Sequence, residues 1–440
     1  MNLKHNIYFK IAAIALITIL LLIPTSMIKG LIHEREMTQN HAIHEVSAKW
    51  GEQQTISGPF VSIPYYKYVK EVSRKDSIEK VIKIKEYLHI LPSELKISGE
   101  INPEKRHRGI YEIVVYNSQL NIEGNFNAFD FSTLDIDPQN ILFDKAEFVI
   151  GINDLRGIEE QVALSWNKDQ ISFNPGISST DVVDSGINAL VPLDAKDSTA
   201  YHFNFNLDLK GSQLLYFTPV GKVTDIHVTS EWPNPSFNGA FLPDNREVTD
   251  QGFTAHWNVL HLNRNYPQIW IGSQHAINHS SFGIDLLLPV DNYQKTYRSI
   301  HYAILFIVFT FMVFFFIEVI NKVFIHPIQY ILVGVALIVF YTLLLSISEH
   351  VNFNLAFLVS ASATLLLIVG YVRAILKSGK LVLLISGILT VLYAFIFVII
   401  QLQDYALLIG SMGIFIILTL VMYFSRKIDW YHLNLKEKKE

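Results

Sequence analysis

The chain has 440 residues, half of them hydrophobic, 17% charged, and no cysteine. Without a thiol there is no disulfide, no thiolate nucleophile, no Cys-ligated zinc and no Cys-bound iron–sulfur cluster. A net charge of −5 offers no reason to expect nucleic acid as a partner, and a mean hydropathy of +0.29 argues against a soluble enzyme.

Taken in chain order, the first element is Ile11–Ile28, an uncharged run broken only by Thr18 and by Pro24–Ser26. Its basic start (Lys4, Lys10) suits a signal peptide or an anchor. The long core and the lack of a small-x-small cleavage site around Pro24–Lys29 favour an uncleaved anchor. Residues 33–50 are polar with scattered Ile, Met, Val and Ala, and extend the helix as a stalk whose end is expected at Gly58-Pro59.

From there to residue 300 the period shifts from helical to alternating. Strands are predicted at Tyr111–Tyr116 and Gln119–Gly124, and at Glu147–Ile152, Gln161–Trp166, Tyr201–Leu209, Val223–Ser230, Phe253–Val259 and Phe282–Leu288. In the fifth, Phe203, Phe205 and Leu207 alternate with Asn204, Asn206 and Asp208, as in a half-buried strand of an antiparallel sheet. Short strands divided by Gly, Pro, Asn and Asp predict a sandwich-like all-β domain of about 270 residues, enough to bury a core. A spacing of near 90 residues between similar segments (Tyr111 and Tyr201, Trp166 and Trp257) raises two tandem units, about 100–175 and 190–265, against chance likeness among β segments.

Five further apolar runs follow: Tyr302–Val319, Ile328–Ile347, Leu355–Val372, Leu381–Ile400 and Ala406–Phe424. Each has about the ~20 residues a helix needs to span hydrocarbon. The expected fold is therefore an α+β membrane protein: six transmembrane helices, one N-terminal and five C-terminal, with the β domain inserted after the first. Boundaries are expected at 1–29 (cytoplasmic start and anchor), 30–300 (β domain), 301–425 (five-helix bundle) and 426–440 (basic tail). Lys322, Arg373, Lys377, Lys380, Arg426 and Lys427 fall in loops on one side. The loops at 348–354 and 401–405 carry no Lys or Arg. The positive-inside rule then places both termini in the cytoplasm and residues ~30–300 in the periplasm.

Candidate chemistry is sparse, and each candidate has a simpler structural reading. Glu318 is an intramembrane carboxylate, costly and often functional, or else an interfacial anchor. His326 opens the next helix just before Pro327; it is a cap-region residue, or pairs with Glu318 in proton coupling. Glu349 and His350 close that helix on the outer side, as a docking or gating contact or as a solvated end. Trp232, Phe237 and Trp257 belong to a Pro-rich aromatic stretch. It presents rings to a partner, glycan or lipid, or plugs one end of the sandwich. His41, His44 and Glu45 share a helical face but lack a third ligand in any recognised pattern. His256, His261, His275 and His279 form no metal motif either, so neither metal nor cofactor is expected. P-loop, dinucleotide, Gly-x-Ser-x-Gly and His-Glu-x-x-His signatures are absent from the sequence.

Several segments carry a resemblance. They are Gly58-Pro-Phe-Val-Ser-Ile-Pro64, Arg108-Gly-Ile-Tyr111, Asp154-Leu-Arg-Gly-Ile158, Trp232-Pro-Asn-Pro-Ser-Phe-Asn-Gly-Ala-Phe-Leu-Pro243, Gly252-Phe-Thr-Ala-His-Trp257, Pro289-Val-Asp-Asn-Tyr293, His326-Pro-Ile-Gln-Tyr330, Leu343–His350 and Asp429-Trp-Tyr431. In this order and architecture the chain resembles the CreD family, inner membrane proteins of Gram-negative bacteria. The resemblance implies a role in cell-envelope integrity and stress response, expression under a two-component system, and links to colicin tolerance and β-lactam responses. It brings no catalytic residues. The expected function is a non-enzymatic envelope protein acting through its periplasmic domain. Its partners are the lipid bilayer and envelope proteins or lipids, not nucleic acid. The alternatives are a translocator of a lipid-like or small amphipathic compound and, lower still, a membrane-embedded enzyme, which has few converging polar groups to work with.

Overall fold

The computed structural model describes residues 7–72, 79–128, 136–194, 200–288, 292–376, 378–402 and 405–426. Lys4, Lys377, Asp404, the tail from Lys427 onward with its Asp429-Trp-Tyr431 segment, and Pro289–Asp291 lie outside the described residues. The chain forms two compact units, Met1–Asn40 with Val290–Glu440, and His41–Pro289.

The first unit is helical. Helix α1 (Ile7–Trp50) is one continuous element. Its membrane part buries the stripe Ile17, Leu21, Ile28 and Ile32, one side of a 3.6-residue period, and turns Leu16, Ile19, Leu20, Ile23 and Met27 outward. Pro24 is accommodated inside the helix, where Thr25 Oγ1 donates to Leu21 O at 2.8 Å. The helix stops at Gly51, whose φ of +155° suits glycine and where a Cβ would lie 2.8 Å from Lys210 O. The expected end at Gly58-Pro59 is therefore too late: that dipeptide lies inside the first strand.

An unpredicted short helix, α2 (Asn292–His301), comes next. Five apolar helices follow: α3 (Ala303–Asn321), α4 (Pro327–Ser348), α5 (Phe353–Leu376), α6 (Gly379–Gln401) and α7 (Ala406–Ser425). With α1 they make six helices long and apolar enough to cross a membrane among the described residues. Gly334 of α4 lets α1 approach: a Cβ there would run into Leu21 of α1 and Phe311 of α3. Small residues at such crossings are how membrane helices pack closely.

The second unit is the β domain. Its strands are β1 (Gln54–Val72), β2 (Glu79–Ile90), β3 (Glu94–Arg108), β4 (Tyr111–Phe126), β5 (Glu147–Ile152), β6 (Ala163–Trp166), β7 (Asp169–Ser172), β8 (Asn174–Pro175), β9 (Gly186–Leu190), β10 (Tyr201–Ser212), β11 (Leu214–Thr218), β12 (Val223–Ser230), β13 (Pro235–Gly239), β14 (Asn245–Thr249), β15 (Gly252–Leu260), β16 (Ile269–Ile271) and β17 (Phe282–Leu286). One sheet runs β13-β17-β11-β1-β5-β9-β8, with β2 on β1 and β16 on β2. The other runs β14-β15-β12-β3-β4-β10-β6-β7. Both are mixed: β1 pairs parallel with β11, and β3 pairs parallel with β12.

The alternation in β10 holds residue by residue. Tyr201, Phe203, Phe205, Leu207 and Leu209 are buried, while the residues between them are exposed or half-buried. The two sheets share one core. At its centre the Phe148 ring of β5 meets Phe203 and Phe205 of β10 at centroid distances of 5.2 and 6.0 Å.

The two segments considered as tandem units do not form separate bodies. β4 and β10, which would have been equivalent strands of successive units, are antiparallel neighbours from Tyr201↔Phe126 to Ser212↔Val115. Trp166 and Trp257 lie on opposite flanks of that same sheet. The halves interleave in both sheets around a common core, so the domain is one fold.

Candidate functional site

In the helical unit, Glu318 is fully buried one turn before the end of α3. The helix ends on Lys322 in the left-handed region (φ 54°), and the chain turns back through Val323–Ile325 to start α4 at Pro327. This turn aims both backbone groups of Ile325 inward. Its N–H donates to Glu318 Oε1 at 3.2 Å, and its carbonyl accepts from Lys10 Nζ at 2.8 Å. Tyr330 Oη donates to Glu318 Oε2 at 3.0 Å. Lys10, on the second turn of α1 and itself buried, forms an ion pair with Glu318. Its ammonium also sits 4.4 Å from the centroid of the Phe324 ring.

A charge out of water is tolerated when it is paired and its remaining bonds are met. Here the carboxylate has three partners and the ammonium has a counter-ion, a carbonyl and a ring. The cluster ties α1 to α3 and α4. Lys10 did not stand out in the sequence, where it reads as the basic flank of an anchor. The available signal was a lysine only four residues ahead of Ile14, within an otherwise apolar stretch.

His326 does not join Glu318. It is the N-cap of α4: its Nδ1 accepts from Ile328 N–H at 3.3 Å, and its own N–H donates to Gln329 Oε1 at 2.8 Å. That geometry is a reciprocal capping box, with Pro327 at the first helical position.

A second cluster lies at the other end of α4. Glu349 Oε1 accepts from Tyr293 Oη of α2 at 3.1 Å and lies 3.7 Å from Arg35 Nε of α1. Asn292 Nδ2 donates to Ser348 O at 2.8 Å. His350 is exposed beside it. From Lys10 to Arg35 the helix rises ~37 Å, so α1 is held at both ends of its membrane span. The outer pair is partly open to solvent and is worth less than the buried one.

In the β domain the aromatic candidates turn inward. Trp232, Phe237 and Trp257 are all buried. Phe237 lies on β13, not on a loop, and its ring meets Phe253 and Trp257 edge-on at 5.7 and 5.8 Å. Trp232 Nε1 donates to Asn234 O and Leu287 O, each at 3.2 Å, and Trp257 Nε1 donates to Phe241 O at 3.3 Å. With their N–H groups met by backbone, these rings close the sandwich and present no free face.

Sequence reading also missed a buried hydrogen-bond chain. Ser62 Oγ lies 3.0 Å from His89 Nδ1, and His89 Nε2 lies 3.3 Å from Asp181 Oδ2. The order matches a nucleophilic triad, but a catalytic serine must meet its substrate. Ser62 is 3% exposed and His89 1%. The imidazole is also packed against Phe60 and Trp270. The arrangement is structural.

Burial pushes the His89 imidazole below its ordinary value, and the Asp181 contact opposes that shift. Below ~6.5 the unfolded chain binds a proton that the folded one resists. Stability contributed by neutral His89 is therefore full above that pH. It is lost as the pH falls from there through the folded value. The β domain is expected to melt at lower temperature at about pH 5 than at about pH 7. The His89→Gln variant should show a shallower dependence, read by tryptophan emission in the full chain.

Among the described residues no group of three or more His, Asp or Glu side chains is placed to hold a metal ion. His256 is engaged with Asp225 at 2.9 Å, and His275 packs on Trp270.

Comparison with known proteins bears on the whole chain. The CreD family model, described as inner membrane protein CreD, matches residues 6–431. The inner membrane protein CreD of Escherichia coli (strain K12) is 32% identical over 443 residues, covering 99% of this chain and 96% of its own. Among solved structures, the M1 zinc metallopeptidase from Deinococcus radiodurans aligns over 42% of each chain at 8% identity and a TM-score of 0.20. That score supports no argument about fold or chemistry. The family match and the curated relative agree with six apolar helices flanking a β domain: the chain belongs to the CreD family of multi-pass inner membrane proteins.

Proposed function

We propose that this protein supports cell-envelope integrity and the response to envelope stress without catalysing a reaction, acting through contacts of its β domain. In this reading both termini are cytoplasmic and residues ~30–300 are periplasmic, as the lysine and arginine distribution favours. The helical unit serves as platform. The observation that carries the proposal is the engagement of Glu318. The best candidate for a proton-coupled step is bonded to Lys10, Tyr330 and the Ile325 N–H, which is the work of a clamp.

The second reading, translocation of a lipid-like or small amphipathic compound, draws on a different observation. The hydroxyls of Thr310, Tyr341 and Ser360, on α3, α4 and α5, are buried without a hydrogen-bond partner among the described residues. Buried hydroxyls normally have one.

A complementation assay separates the two. In cells lacking the protein, envelope sensitivity to detergent and β-lactam is scored after expression of three chains. They are the full chain, the Lys10→Met/Glu318→Leu double variant, and a chain with residues 54–286 replaced by a flexible linker. The clamp reading expects the first two to restore resistance and the third to fail although it reaches the membrane. Rescue by the linker chain would sink it. Failure of a stably inserted double variant would favour translocation.

A further inference from the structure

Three helices of the bundle bury a hydroxyl at the same distance from the Glu349 end. Thr310 stands seven residues after the start of α3, Ser360 seven after the start of α5, and Tyr341 seven before the end of α4. Those ends are level. Asn292 of α2, the helix that leads into α3, donates to Ser348 O at the end of α4. Lys295 of α2 donates to Gln401 Oε1 of α6 at 3.5 Å, and Gln401 donates to Asn354 at the start of α5. Seven residues is ~10 Å of helix, so the three hydroxyls lie at one depth. Thr310 is 1% exposed, Tyr341 and Ser360 0%, and none has a hydrogen-bond partner among the described residues.

A serine or threonine inside a helix commonly donates to a carbonyl three or four residues back. Thr18, Thr25, Ser348, Thr390 and Thr419 of this unit do so at 2.8–2.9 Å, whether buried (Thr25, Ser348) or exposed (Thr390, Thr419). Thr310 and Ser360 make no such bond, so their hydroxyls are left for something else. A buried hydroxyl without a partner costs free energy, and three at one depth point to a partner outside the chain.

The surroundings give its chemistry. Thr310 shares a helix face with Phe306, and Ser360 with Phe357. Phe306 and Phe340 lie 4.6 and 5.0 Å from the Tyr393 ring of α6, and Phe340 lies 5.3 Å from Phe357. Tyr393 in turn lies beside Tyr341 and Thr364. Side chains lean toward their helix N-terminus, which carries the Tyr341 and Tyr393 hydroxyls down toward the level of Thr310 and Ser360. The hydroxyls thus sit beside an aromatic wall, without a charge. Among the described residues of α3–α6, Glu318, Arg373 and Lys380 are the only Asp, Glu, Lys, Arg or His side chains, and all lie toward the opposite end. An ion would enter with no counter-charge, at high cost in hydrocarbon. Water would meet the hydroxyls but gain nothing from the rings. An uncharged lipid alcohol meets both, because its hydroxyl and ester oxygens bond the side chains while its acyl chains lie along the rings.

We propose that α3, α4, α5 and α6 enclose a binding site for the uncharged, hydroxyl-bearing end of a lipid of the diacylglycerol type. Thr310, Tyr341 and Ser360 bond its oxygens, and Phe306, Phe340 and Phe357 pack on its apolar part. The inference rests on the hydroxyls of the second reading but not on passage through the bundle. A lipid held there suits a platform as well as a path.

The test is thermal unfolding of the delipidated full chain in detergent, with lipid added at rising mole fraction. Dioleoylglycerol is expected to raise the melting temperature. Dioleoylphosphatidate and dioleoyl-trimethylammonium-propane, which place an anion or a cation on the same chains, are expected not to. Each hydrogen bond lost to an uncharged partner weakens binding about fivefold. Tyr341→Phe should therefore need about five times as much dioleoylglycerol for half the shift, and Thr310→Val/Tyr341→Phe/Ser360→Ala about a hundred times as much. Without lipid, both variants should melt no lower than the unsubstituted chain, since they remove only unpaired hydroxyls. No shift with dioleoylglycerol would mean that internal water suffices, and would overturn the proposal. An equal shift with either charged lipid, a full shift in the triple variant, or a lipid-free triple variant melting well below the unsubstituted chain would overturn it too. The assay reads lipid binding alone, so its failure leaves the envelope reading to the complementation assay.

Discussion

Replacing Glu318 by leucine alone is expected to destabilise the protein by about 3–5 kcal/mol, and adding Lys10→Met to the same chain is expected to recover most of that loss. The first change leaves the Lys10 ammonium buried with a carbonyl and a ring but no counter-charge. The second removes the stranded charge and gives α1 an apolar side chain of similar length against Phe324. The desolvation of two ions roughly offsets their attraction, so losing both costs far less than losing one. Thermal unfolding of the detergent-solubilised full chain, with the amount inserted in membranes as a second readout, gives the comparison. A double variant as unstable as Glu318→Leu would mean that the charge itself is required, contrary to a clamp. Glu318→Gln should fall between, because its one amide oxygen can still accept from the Ile325 N–H and its amide N–H can donate to the Tyr330 oxygen, while Lys10 is still orphaned.

The second large effect is expected at Phe148. This fully buried ring touches five others, Phe126 at 6.2 Å, Trp166 at 5.7 Å, Phe173 at 6.0 Å, Phe203 at 5.2 Å and Phe205 at 6.0 Å. It stands on β5 of one sheet, and Phe126, Trp166, Phe203 and Phe205 stand on strands of the other. Phe148→Ala is expected to cost about 3–5 kcal/mol through lost burial and the cavity left between sheets that cannot collapse. Urea unfolding followed by tryptophan emission should show the midpoint fall, and Trp166 makes the probe local. A loss below ~1 kcal/mol would show that the sheets close over the gap, and that the ring is not their keystone.

The long-range plan was legible because it depends on local periodicity. Twenty-residue apolar runs declare spans, and the Tyr201–Leu209 alternation declares a half-buried strand. What could not be read depends on partners distant in sequence. Lys10 meets Glu318 across 308 positions, and nothing local to either residue announces the other. The nearer histidine at 326 looked the better partner, yet its position before Pro327 commits it to capping. Short strands such as β8, β9 and β13 carry too few residues for a period. The Trp232–Phe237 stretch has the turn chemistry of a loop, while its rings are drawn into the core by the area they bury.

The two parallel pairs at the heart of the sandwich have a consequence for biogenesis. β1 aligns with β11 from Gln54↔Leu215, and β3 aligns with β12 from Glu94↔Val223, so neither sheet can be assembled from the first half of the domain alone. β11 and β13 are in turn both completed by β17, the last strand. As the chain emerges in order during synthesis, β1 and β3 each wait with one edge unpaired for a partner more than a hundred residues behind them. Release of the final strand is then the step that converts an aggregation-prone, half-laddered segment into a closed domain. A nascent chain arrested before residue 282 should be far more open to protease than one arrested just beyond residue 300.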